Sequence, residues 1–147
     1  MGNKLVFIAL FILMAIGCAT TKRVSFNTRD NTGRTFEYQM RIPKGYIVKN
    51  YSFENEGAKI LIYPDSSRLY FSDNTKPSAF YPDAYKKYGE YINIRFLTAD
   101  TITIDGVDEV GKYWKTRKAR IVVYGYMKVP IEKKKMFDRI INNVSVK

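Results

Sequence analysis

The sequence predicts an α+β fold: a mainly antiparallel, twisted sheet with a short middle helix and an amphipathic C-terminal helix packed on one face. Three observations carry that expectation. Phe36, Tyr38, Met40 and Ile42 alternate with Glu37, Gln39 and Arg41, the period of a half-buried strand. Short apolar runs then follow one another across tight turns, and strands joined by so little chain pair antiparallel. Behind Pro130, the side chains Met136, Phe137, Ile140, Ile141 and Val144 recur at helical spacing.

The first element is not part of that domain. Asn3 and Lys4 precede an unbroken apolar run over residues 5–16, the length of a signal-peptide core. As a helix it rises about 18 Å, short of the ~30 Å hydrocarbon thickness. It closes on Ala15-Ile16-Gly17-Cys18, which resembles the lipobox of bacterial lipoproteins, although Ala15 stands where Leu is usual. The resemblance implies cleavage before Cys18, acylation of its sulfur, and a lipid-anchored place in the bacterial cell envelope. Ala19 rather than Asp after the cysteine implies the outer membrane. Cys18 is the single cysteine, so an intramolecular disulfide is excluded. Two or three acyl chains anchor a protein stably where one does not. The expected division is therefore a signal peptide over 1–17, a lipidated cysteine with a polar tether over 18–34, and a single α+β domain over 35–147.

Within the tether, Val24 and Phe26 alternate with polar neighbours as in a short strand. After the strand at 35–42, Pro43-Lys44-Gly45 predicts a turn, because Pro fixes φ and Gly accepts positive φ. Strands are expected at 46–53, 58–63 and 68–72, with turns at 54–57 and 64–67. Pro82 and Gly89 bracket a short helix on which Tyr81, Tyr85 and Tyr88 share a face. Residues 91–97 and 101–104 read as strands, and Asp105-Gly106 as a turn. The last two strands are expected at 112–117 and 120–129, joined near Lys118-Ala119. A helix over 131–143 ends the domain, with Glu132 in the first turn where the helix dipole favours an acid.

The strand-Pro-x-Gly-strand passage at 41–46 and the strand-Val-Pro-helix passage at 126–141 resemble the PsbP/Mog1-like family. That resemblance implies an antiparallel sheet flanked by helices and a binding or assembly role. It carries no functional residue over to this chain.

The chain has 25 basic and 14 acidic residues, a net charge of +11. Aromatics at 15% and hydrophobics at 46% indicate a packed domain rather than disorder. The charge is concentrated: ten basic side chains and two acids lie between residues 111 and 139. The candidate binding residues are Lys112, Lys115, Arg117, Lys118, Arg120, Lys133, Lys134, Lys135 and Arg139. Trp114 joins them because it or Tyr113 must face outward if one side of the sheet is solvated. Such a field draws anionic partners, here anionic lipid, lipopolysaccharide or an acidic envelope protein. Nucleic acid is the usual reading of a basic patch but is not expected for an exported, anchored chain. The bland alternatives are a solvated face for the lysines and a packed helix face for the tyrosines.

With no histidine, Ser-His and Cys-His nucleophiles and most zinc or haem ligation are excluded. No phosphate-cradling glycine loop is present. Asp105, Asp108 and Glu109 lack the spacing of a calcium loop and read as a solvated turn. No catalytic residue, metal or cofactor is expected, and the chain reads as a non-catalytic binding or assembly module. Two alternatives stay open: an inhibitor or immunity-type lipoprotein, and a wall-glycan hydrolase working through paired carboxylates.

Overall fold

The computed structural model describes residues 21–53, 56–73, 82–89 and 91–147. The lipobox, Cys18, Tyr81 and the expected turn residues Glu54 and Asn55 lie outside them. Among the described residues, nine strands and three helices follow in the order β1 (Thr21–Arg29), β2 (Thr35–Pro43), β3 (Ile47–Phe53), β4 (Glu56–Ile62), β5 (Arg68–Ser72), α1 (Pro82–Tyr88), α2 (Tyr91–Thr98), β6 (Thr101–Val107), β7 (Tyr113–Ala119), β8 (Val122–Val129), α3 (Ile131–Asn142) and β9 (Ser145–Val146). Every strand pairing is antiparallel, and the mainly antiparallel α+β class holds.

The strands form two sheets rather than one. The smaller runs β1-β2-β9, the larger β3-β4-β5-β8-β7-β6. Period-two alternation explains how both faces of the larger sheet are used. Leu69 and Phe71, with Tyr124 and Tyr126, point into a cluster shared with Tyr38, Met40 and Ile42 of β2 and with Phe137, Ile140 and Ile141 of α3. The intervening Tyr70, Trp114, Val123 and Met127 form a second cluster, against which Tyr85 and Tyr88 of α1 pack. Strand β8 is therefore buried along nearly its whole length, as expected of a strand covered on both sides.

Polar ties join the sheets. Tyr38 Oη donates to the Ala119 carbonyl at 2.9 Å, Tyr63 Oη to the Pro43 carbonyl at 3.0 Å, and Lys59 Nζ to the Ser25 carbonyl at 2.6 Å. Within the smaller sheet, Glu37 and Lys147 exchange backbone hydrogen bonds at 3.1 and 3.0 Å. In the larger sheet, Gly125 sits where an added Cβ would lie 2.0 Å from the Lys115 carbonyl oxygen and 2.7 Å from Tyr70 Oη. Its lack of a side chain leaves room for the buried 2.6 Å bond between Tyr70 and Thr116.

Four expectations are corrected. The tether predicted over 18–34 gives way at Thr21 to a nine-residue strand paired along its whole length with β2, since Val24 and Phe26 pack into the first cluster and Thr28 donates to the Asp73 carboxylate at 3.0 Å. Residues 91–97, expected as a strand, belong to helix α2. The Asp105-Gly106 turn lies instead within β6. Gly106 is required there by packing, because an added Cβ would meet the Trp114 ring at 2.6 Å; the turn itself comes at Asp108–Gly111, where Asp108 Oδ1 accepts from the Val110 and Lys112 amides. The β7–β8 turn falls at Arg120-Ile121 rather than Lys118-Ala119, with Arg120 at φ +56°.

Candidate anion-binding surface

The basic residues singled out in the sequence do not share one surface. Alternation along β7 sends Lys115 and Arg117 to the side of α3, and Trp114, Thr116 and Lys118 to the side of α1. Trp114 is buried, 3% exposed, and Tyr113 is half-buried against the first cluster. Neither ring faces outward, because this sheet has no solvated face at that strand. Lys118 is also buried. Burial pushes its ammonium pKa down, with Asp100 acting in the opposite sense.

Three of the lysines are engaged by acids. Asp138 sits on α3 and accepts from Lys115 Nζ at 2.6 Å, Lys134 Nζ at 2.5 Å and Tyr126 Oη at 2.9 Å. Burial alone would raise the Asp138 carboxyl, but those hydrogen bonds outweigh it and hold the group below the usual carboxylate range. For Tyr126, burial and the same carboxylate together push the phenol up. Lys133 reaches Asp65 in the β4–β5 turn at 2.6 Å. Arg120 is exposed and lies 5.1 Å from the Phe36 ring centroid. Arg117 is half-buried, and its Nε has no hydrogen-bond partner among the described residues. Lys112 is half-buried at the start of β7, while Lys135 is exposed on α3.

A different set of cations converges at the other side of α3. A cleft of about 590 Å³ is lined by Arg41 and Pro43 of β2, Met136, Arg139 and Ile140 of α3, and Thr21 and Asn143. It adjoins a recess of about 140 Å³ that shares Arg41 and Asn143 and adds Arg23 and Gln39. Arg23 and Arg41 are direct cross-strand partners, so their side chains leave the same face of the β1–β2 pair. All three arginines are exposed. Of them, only Arg139 stands out in the sequence. Arg23 falls in the expected tether, and Arg41 reads as an ordinary outward strand residue. The alternation at Val24 and Phe26 marks a strand but stops there, because Thr21, Lys22 and Arg23 are all polar and exposed; the strand's extension to Thr21, which sets Arg23 opposite Arg41, comes from pairing with β2.

The acidic cluster is taken up by the fold: Asp108 closes a turn and Glu109 pairs with Lys86 at 3.0 Å. Among the described residues no group of three or more metal-ligating side chains is close enough to hold an ion, and no helix is long and apolar enough to cross a membrane. No protein-family model matches the chain, and neither a curated protein nor a solved structure does.

Proposed function

We propose that this chain is a lipid-anchored, non-catalytic binding module of the bacterial envelope, held at the outer membrane through Cys18, whose basic surface engages an anionic envelope component. The observation that carries the reading is the position of Thr21. It lines the cationic cleft, and only two residues separate it from Cys18. That much chain spans at most about 11 Å, so an acylated Cys18 holds the cleft at the head-group layer of the membrane. Near an anionic surface each Lys or Arg contributes about 1 kcal/mol; Arg41 and Arg139 line the cleft and Arg23 lines the recess beside it. The final helix, covering one face of the larger sheet, supplies Arg139 to this surface.

The anchor is tested by expressing the full chain and its Cys18→Ser variant in a bacterium fed a radiolabelled fatty acid. Incorporation of label and membrane association are expected in the parent and absent in the variant. Equal labelling of the two proteins overturns the anchor.

A further inference from the structure

Resting on the reading of a membrane-anchored module, we propose that the cleft lined by Arg41 and Arg139, with Arg23 in the recess that adjoins it, binds the phosphate head group of an anionic lipid. Two arginines directly opposite on adjacent strands repel each other and weaken a sheet. Here that pair is joined by a third guanidinium from α3. The ion pairs among the described residues involve Lys86, Lys115, Lys133 and Lys134, and none of the three arginines is in them. An oxyanion between the guanidinium groups turns the repulsion into attraction. The planar fork of arginine suits phosphate in particular, because it donates two parallel hydrogen bonds to two oxygens.

The rest of the lining distinguishes a lipid from a free ion. Pro43, Met136 and Ile140 give the cleft apolar lining, which an inorganic anion would not use. A glycerol backbone and the first acyl methylenes cover it and gain from its burial. Met suits this role, since its unbranched thioether chain adapts to irregular apolar partners; Met136 is 39% exposed. A volume of about 590 Å³ accommodates a head group with its glycerol. Among the described residues none of the lining side chains is aromatic, and they offer no ring on which a sugar would stack.

The test uses the full chain in neutral detergent micelles, so that binding is read without reference to acylation of Cys18. Short-chain phosphatidylglycerol, short-chain phosphatidylcholine and inorganic phosphate are titrated by calorimetry. Phosphatidylglycerol is expected to bind at least tenfold more tightly than the other two. The Arg41→Gln/Arg139→Gln double variant is expected to lose about tenfold or more of that affinity, the worth of one charge-assisted hydrogen bond or more. Arg139→Lys, which keeps the charge but not the fork, is expected to lose a smaller part. Lys49→Gln/Arg95→Gln removes the same charge outside the cleft, at exposed positions, and is expected to bind as the parent does. Inorganic phosphate binding as tightly as the lipid overturns the lipid assignment. Equal losses in the two double variants, or none in the arginine pair, overturn the site. Any of those results leaves the Cys18 labelling experiment to stand or fall separately.

Discussion

Asp138 shows how one side chain disposes of much of the basic segment. A carboxylate accepting from two ammonium groups and a phenol neutralises charge that the sequence offers as free. Replacing it with Asn leaves Lys115, whose side chain is 12% exposed, beside an amide with no compensating charge. Asp138→Asn is expected to destabilise the fold by about 2 kcal/mol, measured by urea unfolding at neutral pH. The pH dependence has a definite sign. Because the folded carboxyl lies below its usual range, its stabilising contribution is complete above about pH 4. It fades as the pH falls through the lowered folded value. The stability gap between parent and variant should therefore close in acid and stay constant from pH 5 to 8; a gap that widens in acid would contradict the assignment.

At the scale of elements, helix α1 covers the second face of the larger sheet and places Tyr85 and Tyr88 against the cluster containing Trp114. As the single tryptophan, Trp114 reports on that cover. Tyr85→Ala is expected to shift its emission to the red and to cost about 1–2 kcal/mol in chemical unfolding. An unchanged spectrum would mean that α1 does not shield the ring. The legible elements were those whose pattern has one explanation. Strand β2 has a strict period of two, α3 a strict period of 3.6, and Arg68–Ser72 emerged with its expected bounds. Residues 91–97 did not, because a short run rich in aromatic and branched side chains fits a strand or a buried helix equally well. The Asp105-Gly106 dipeptide misled for a different reason. Glycine there answers to a tryptophan on the neighbouring strand, a demand set by tertiary register and invisible along the chain. The cleft was hidden likewise: Arg23, Arg41 and Arg139 are scattered in sequence, and only the β1–β2 register and the seating of α3 bring them to two adjoining cavities that share Arg41.

For the whole molecule, the excess positive charge is partitioned rather than pooled. Part is cancelled at Asp138 and Asp65, part is enclosed at Lys118, and part is gathered at Arg23, Arg41 and Arg139 beside Thr21. The same end depends on residues remote in sequence, since β9 pairs with β2 at Tyr38 and Gln39 and Lys147 bonds reciprocally with Glu37. Deleting residues 145–147 removes those bonds and is expected to cost about 2 kcal/mol, read as a lowered thermal midpoint; an unchanged midpoint would make β9 dispensable. The reciprocal bonds also set an order of events. A strand near the start of the chain waits for residues roughly a hundred positions later, and contacts so distant close slowly. While the polypeptide emerges from the ribosome, its first sheet stays unfinished. The β1–β2 hairpin can close early on its own nine-residue register, so what arrives late is the cover that β9 gives its outer edge.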